Sequence, residues 1–424
     1  MAGARRPLLR DPHGRDGRAR QSRDVLHRGV RERRRVPERA DVCIIGGGVV
    51  GCSIAYHLAR ISRLKIVLLE QGHLGGGSTG RSAGGVRRQF LTEIHIQLSI
   101  ESVKIFQTFR EETGWDPDFR ETGYLFLLST EEERTRFRSA VELQRHLGVS
   151  VEVLPPAEIQ RLAPCLRVDD LLEGTYTAGD GYASPFQVVW GYAERAADLG
   201  VDIRERCEVT GVRVAGGRIQ AVESRKGTIA TPVVVNAAGP YAGCVGEMVG
   251  VEVPVTPWRR QLFVTAPFPD LARELPVTID VHRNWYFRRE EGGALIPAPT
   301  DRQPSFNTAV DWGIVPEVYA AGVHRLPALA HAEVVRGWAG LYDISPDNHP
   351  ILGESEVPGF YLACGFSGHG FMHGPVTGKL MAELIVNGRT TGIDIGPLSP
   401  RRFHEGNLIQ EPITMHGVVN SDNQ

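Results

Sequence analysis

Val42-Cys43-Ile44-Ile45-Gly46-Gly47-Gly48-Val49-Val50-Gly51, opened by Asp41, decides how this chain folds. Val42 to Ile45 form a short apolar run that reads as a buried strand. Gly46, Gly48 and Gly51 fit G-x-G-x-x-G, which combines a tight turn, an open path for a pyrophosphate to backbone N–H groups, and close packing of helix on strand. The run from Ser53 to Arg60 continues as a helix. A second strand, Lys65-Ile66-Val67-Leu68-Leu69, then ends in Glu70, nineteen residues after Gly51, where a carboxylate can accept hydrogen bonds from ribose hydroxyls. A plain glycine turn between core elements would not call for that acid, so the unit reads as a dinucleotide site.

Working outward, Gly75-Gly76-Gly77-Ser78-Thr79-Gly80-Arg81-Ser82-Ala83-Gly84-Gly85 is a loop of small and hydroxyl residues that can run beside an extended cofactor and give it backbone donors. Far along the chain, Val233-Val234-Val235-Asn236 is another buried strand ending in the small residues Ala237-Ala238-Gly239. A single nicotinamide domain has no need of these distant contributions, whereas the longer FAD does. Gly359 to Cys364 is again a buried strand, delivering the turn Gly365 to Gly370 to a helix expected from about Pro375 to Val386. Backbone N–H groups there can hold negative charge. Glu131 to Leu147 reads as an exposed helix, and Pro254 to Ile296 as short strands alternating with turns.

Hydrophobic residues make up 42% and charged residues 23% of the 424, which excludes a disordered or fibrous chain. No run approaches the ~18–20 apolar residues of a membrane span. Residues 1–40 hold 13 Arg against 5 acids, so a net charge of −2 hides a basic arm. Its acids, Asp11, Asp16, Asp24, Glu32 and Glu38, argue against a mitochondrial presequence, and nothing after it supports nucleic-acid binding. Residues 1–38 are therefore expected to be a disordered extension. Six cysteines without C-x-x-C or zinc spacing read as free thiols of a reducing cytoplasm, with no metal site.

At these residues the chain resembles the D-amino-acid oxidase superfamily of flavoproteins, in its sarcosine oxidase β-subunit and L-proline dehydrogenase β-subunit branch. The likeness runs over about residues 40–410. It rests on Ile44 to Gly51 with Glu70, Ser78-Thr79 through Val86-Arg87-Arg88-Gln89-Phe90, Thr122-Gly123-Tyr124-Leu125-Phe126, Asn236 to Gly239 and Pro254-Val255-Thr256-Pro257. Gly337-Trp338-Ala339-Gly340-Leu341-Tyr342, Asp347-Asn348-His349-Pro350 and Gly365-Phe366-Ser367-Gly368-His369-Gly370-Phe371 complete it. Sarcosine and dimethylglycine enzymes, the proline dehydrogenase β-subunits and a mitochondrial complex I assembly factor share this pattern. The resemblance implies an α/β fold, with a Rossmann-type FAD-binding lobe of discontinuous segments (39–90, 150–250 and 336–395), an α+β substrate lobe with an antiparallel sheet (91–149 and 251–335), and a C-terminal tail (396–424). It further implies cofactor contacts from Gly46, Gly48, Val49, Val50, Gly51, Glu70, Gln71, Ser78, Thr79, Arg81, Ser82, Gly84, Gly85, Val209, Ala238, Gly239, Gly340, Gly365, Gly368, His369 and Gly370.

Flavin amine oxidation asks little acid–base chemistry of the protein, so substrate choice is where its side chains matter. A planar guanidinium is the natural partner of an amino-acid carboxylate. The family arginine falls at Arg87 or Arg88, the proline dehydrogenase pattern favouring the first and the sarcosine oxidase pattern the second; neighbours on an extended segment cannot both face inward. Tyr286 and Arg289 match a second aromatic and arginine cluster, while His349 and His369 are candidate bases or orienting groups.

Departures matter equally. Gly340 stands where monomeric sarcosine oxidases attach FAD through cysteine, and Arg81 where dimethylglycine-type enzymes use histidine, so the flavin is expected to be non-covalent. Leu295 and Met372 replace two family lysines, one of which assists O2, which favours a dehydrogenase over an oxidase. The leading expectation is oxidation of the C–N bond of a small secondary amino acid (sarcosine, dimethylglycine or proline-like) to an imine. A glycine or D-amino-acid oxidase acting on a primary amine stays open, as does a non-catalytic scaffold flavoprotein. The β-subunit likeness also leaves room for an α-subunit or an electron-acceptor protein.

Overall fold

The computed structural model describes residues 36–410 except 272, 300 and 302; the expectation for the basic arm falls, up to residue 35, outside the described residues. Val42–Ile45 lies inside a six-stranded sheet ordered Ile351–Glu354, Phe360–Cys364, Val233–Asn236, Val42–Ile45, Ile66–Leu69, Asp202–Arg204. All its neighbours are parallel except the first pair. The central strands read as unbroken apolar runs because both faces are covered. Ile44, Leu68 and Val235 turn to a layer of helices, while Cys43, Val67 and Val234 turn to a three-stranded antiparallel sheet of Val209–Ala215, Arg218–Ser224 and Gly227–Ala230.

The helix layer is built on small-residue contacts. The helix Val49–Ile61 packs along Gly370–Asn387, where a Cβ at Gly374 would come to 2.9 Å from the Val49 side chain and one at Gly378 would strike Ser53. The second helix begins at Gly370, five residues ahead of the expected Pro375. That start makes His369 the residue that caps it and brings Gly370 into its first turn.

A second, eight-stranded sheet runs Val334–Ile344, Thr256–Thr265, Gly293–Pro297, Trp285–Glu290, Val277–Asp280, Tyr124–Leu128, Glu173–Thr177, Glu152–Leu154. It is antiparallel apart from the pairing of Val277–Asp280 with Tyr124–Leu128. The strands at 152–177 and 334–344, expected with the nucleotide lobe, hydrogen-bond in this sheet instead. Conversely the helix Glu93–Thr113, expected in the substrate lobe, buries Ile96, Leu98 and Phe106 in the core under the six-stranded sheet. The expected exposed helix is Glu131–His146, started by a capping box in which Thr130 Oγ1 accepts from the Glu133 N–H and Glu133 accepts from the Thr130 N–H.

Over its described length the C-terminal tail packs back onto the fold, with Leu398 buried in the core. The short helix Arg401–Glu405 drives Arg402, 3% exposed, into a buried ion pair with Asp347 (Nε to Oδ2 2.7 Å, Nη2 to Oδ1 2.9 Å). Burial pushes the Asp347 carboxyl up, but the guanidinium outweighs it and holds the group below its ordinary value. No helix among the described residues is long and apolar enough to cross a membrane.

Candidate active site

The glycine turn is dictated by what a side chain would hit. Gly46 has φ +115°, and a Cβ there would fall inside contact distance of the Ala237 carbonyl oxygen; a Cβ at Gly51 would collide with the Gly46 oxygen. Glu70 ties the second strand to this turn, accepting from the Gly47 N–H at 2.7 Å and the Gly72 N–H at 2.6 Å. Burial raises its carboxyl, against the pull of these two donors. Val49, first residue of the helix, donates its N–H to Thr79 Oγ1 at 3.1 Å. Ser78 Oγ donates to the Leu341 carbonyl at 2.6 Å and Trp338 Nε1 to the Arg81 carbonyl at 2.9 Å, so the small-residue loop is laced to the strand Val334–Ile344.

These pieces wall one cavity of about 720 Å³ that runs from Glu70 and Gln71 past the glycine turn to the eight-stranded sheet. Of the expected cofactor contacts, Gly46, Gly48, Val49, Val50, Glu70, Gln71, Ser78, Thr79, Arg81, Ser82, Gly84, Gly85, Ala238, Gly239, Gly340, Gly368, His369 and Gly370 line it. Three do not. Gly51 serves helix packing and Gly365 the turn, with φ +70° and a Cβ position 3.1 Å from Ile351. Val209 opens a strand of the three-stranded sheet, and its neighbour Glu208 takes the lining position.

The residues present fit FAD. The glycine turn leaves a side-chain-free cradle at the start of a helix, and Gly48 sits opposite Thr79 with a Cβ position only 3.1 Å from its Oγ1. At the far end Gly340 packs against Arg81 (Cβ position 2.9 Å from its Cβ) and Gly368 against the Tyr342 ring (2.6 Å), so two further walls are bare backbone. The start of helix Gly370–Asn387 faces the same space.

Alternation settles the arginines. Gly85–Val86 pairs antiparallel with Gly181–Tyr182, which brings the preceding Asp180 alongside residues 87 and 88. Arg88 therefore turns away from the cavity, donating from its N–H (2.9 Å) and Nε (2.6 Å) to the Asp180 carboxylate. Arg87 turns in. It is 4% exposed, with its guanidinium 3.8 Å from the Phe90 ring centroid and 5.4 Å from that of Phe126, donating to the Gln89 carbonyl and lying 3.3 Å from His369 Nε2. The same rule overturns Arg289 as a pocket residue. Its Nε donates to the Leu271 carbonyl at 2.7 Å, while Arg288 lines the cavity, ion-paired with Glu290 at 2.5 Å.

Tyr286 lines the cavity as expected, with Tyr124 and Tyr342, neither of which was singled out as a site residue. Burial pushes the Tyr124 phenol up to about 12 and that of Tyr286 well above its ordinary value, so both stay protonated donors. His349 does not reach the cavity. It is fully buried, stacked on His95 at 4.0 Å, with Nδ1 donating to the Asp347 carbonyl (2.7 Å) and Nε2 accepting from Thr92 (2.9 Å); burial lowers its basicity. Sequence reasoning also passed over Asp343 and Arg260, both on the lining. Burial raises the Asp343 carboxyl to about 6, although it accepts from the Phe366 N–H at 3.1 Å.

A phosphate-cradling turn and a buried arginine in one continuous cavity define a flavin-dependent oxidoreductase. The chain belongs to the DAO family of FAD dependent oxidoreductases, whose description matches residues 41–384, and FAD is its cofactor. It is 32% identical over 389 residues to the mitochondrial sarcosine dehydrogenase of Homo sapiens, covering 88% of this chain and 42% of that protein. It thus spans less than half the length of that relative. Sarcosine oxidase subunit beta of Rhodobacter capsulatus is 27% identical, covering 89% of this chain and 91% of that one. The crystal structure of L-proline dehydrogenase from P. horikoshii superposes with a TM-score of 0.83 at 32% identity, covering 88% of this chain and all of the other.

Proposed function

We propose that this chain oxidises the C–N bond of a small secondary amino acid, sarcosine-like or proline-like, to an imine. The observation that carries the reading is the inward guanidinium of Arg87, held between Phe90 and Phe126 on the wall of the cofactor cavity. Aromatic faces fix its plane, and a guanidinium is the side chain whose geometry matches a carboxylate. His369, 3.3 Å away, orients it. The protonated phenols of Tyr124 and Tyr286 donate to the bound substrate and exclude water. FAD supplies the two-electron oxidation. The N–H groups at the start of helix Gly370–Asn387 favour the negative charge that accompanies reduction.

In this reading the six-stranded sheet and its helices form the FAD lobe, and the eight-stranded sheet forms the substrate lobe. Gly340 and Arg81 support non-covalent FAD. Met372 on the lining and the buried Leu295, which stand where the family resemblance puts lysines, support a dehydrogenase that hands its electrons to a partner or quinone. The likeness to a sarcosine oxidase β-subunit supports a hetero-oligomer, and six free cysteines suit the cytoplasm.

The test is anaerobic mixing of the FAD-loaded protein with sarcosine, dimethylglycine, L-proline, glycine and D-alanine, following the flavin band near ~450 nm. Bleaching by a secondary or tertiary amine is expected, with slow recolouring in air. Bleaching by glycine or D-alanine alone would move the assignment to a primary-amine oxidase, and no bleaching at all would favour a scaffold.

A further inference from the structure

His349 keeps off the cavity wall, yet it stands at one end of a buried run of rings that reaches it. Its face lies on that of His95, with centroids 4.0 Å apart and planes 7° from parallel. His95 is fully buried in the first turn of helix Glu93–Thr113. From there it touches two of the groups that hold the Arg87 guanidinium, Phe90 at 5.0 Å and, edge-on, His369 at 5.5 Å between centroids. His373, one turn after His369 on helix Gly370–Asn387, closes the set at 5.3 Å from His95 and 5.2 Å from Phe90. Four imidazoles and one phenyl ring thus pack as a block behind Arg87, drawn from separate stretches of the chain.

The block is anchored at the end away from the cavity. His349 has both nitrogens committed, Nδ1 to the Asp347 carbonyl and Nε2 to Thr92, and Asp347 is locked by Arg402. His373 Nε2 lies 2.9 Å from Ser99 Oγ. Arg87 has donors only, so the His369 Nε2 beside it must accept, and that ring is neutral. Burial lowers His349, and burial with the nearby Arg87 charge lowers His373 to about 3, so these rings too are uncharged at neutral pH. The plane of a guanidinium lying on ring faces follows the placing of those rings. A shift of ~0.5 Å in Phe90 or His369 is passed on to the fork, and a bidentate contact is sensitive to shifts of that size. We propose that His95 is a positioning residue for substrate binding, a strut that carries the anchored His349 ring through to Phe90 and His369 and so sets the plane of Arg87. This rests on the reading of Arg87 as the partner of a substrate carboxylate.

The test uses the full, FAD-loaded protein. Pyrrole-2-carboxylate, whose aromatic ring resists oxidation to an imine, is titrated against the shift of the flavin spectrum, and anaerobic bleaching by L-proline and by sarcosine gives a half-saturating concentration and a limiting rate. His95→Leu fills the space without a flat ring; it should raise the half-saturating concentrations about ten-fold and change the limiting rate by less than about three-fold. His95→Phe should restore half-saturation to within about three-fold of wild type, and His349→Leu should raise it by a smaller factor than His95→Leu. Half-saturation unmoved in His95→Leu, whatever happens to its melting temperature or flavin content, overturns the inference and leaves the amino-acid reading standing, as does a loss confined to the limiting rate. Should His95→Leu fail to load FAD, an unmoved half-saturation in His349→Leu overturns it. A wild-type protein that neither binds pyrrole-2-carboxylate nor bleaches with either amino acid overturns the underlying reading, and the role of His95 with it.

Discussion

The two ends of the cavity are built from different materials. At the nucleotide end the glycine turn at 46, 47 and 48 presents backbone, with the Glu70 carboxylate tied to it; at the pocket end, beside the bare backbone of Gly340 and Gly368, the lining carries Arg87, Arg260, Arg288, Tyr124, Tyr286 and Tyr342 from separate segments. A backbone site tolerates no added atoms but has no charge to lose. The side-chain end tolerates change in shape, and its cost appears in recognition rather than in folding.

Substitutions at each end can break that contrast. The largest effect is expected from Gly46→Ala, which combines φ +115° with a clash on the Ala237 carbonyl. Loss of ~3 kcal/mol or more and of bound flavin is expected, read from the melting temperature and the ratio of flavin to protein absorbance. Arg88→Gln leaves the Asp180 carboxylate, fully buried, without its ion pair. A stability loss of about 3 kcal/mol is expected from chemical denaturation, with little change in substrate response once the protein is folded. Arg87→Gln should do the reverse, lowering kcat/KM by about 2–3 kcal/mol, roughly 30- to 150-fold, at near-normal stability. If Arg88 rather than Arg87 governs kcat/KM, the inward assignment fails.

Asp343 sharpens the comparison through pH. Its folded-state value of about 6 lies above the ordinary 3.8, so between these the folded protein holds a proton that the unfolded chain has lost. Stability from this group is fully present below about pH 4 and is lost as pH rises through 6, on the order of 1–3 kcal/mol. Asp343→Asn keeps an acceptor for the Phe366 N–H and should flatten that fall in melting temperature between about pH 4 and 6. An unchanged profile would remove the titration from this residue. Smallest of all, Arg289→Ala should cost ~0.5 kcal/mol or less in stability and leave substrate titrations unmoved.

What could be seen in the sequence follows the same division. The strand, glycine turn and Glu70 were legible because local sterics fix them, and so were the strands at 233–236 and 360–364, apolar on both faces. The helix Gly370–Asn387 was read five residues short because Pro375 and glycines at 374 and 378 look like breakers; packing against Val49–Ile61 is what requires them small. Arg87 and Arg88 could not be separated, since the deciding partner, Asp180, lies 92 positions away. Arg289 was chosen over Arg288 for want of the strand register. His349 looked functional beside a turn, and its fully buried contacts with Asp347, Thr92 and His95 depend on long-range folding. Arg260 sits next to Arg259 in a strand whose facing residue, Gly340, lies far along the chain.

The buried pair Arg402–Asp347 bears on self-association. It clamps the segment around Gly396–Leu398 and Pro400 against Ile351–Glu354, the outermost strand of the six-stranded sheet, with Pro400 3.5 Å from where a Cβ of Gly353 would lie. Outermost strands recruit other strands when left bare. A chain ending near residue 395 would lose this guard together with the counter-charge of Asp347, and would be prone to assemble edge to edge before it could be assayed for anything else.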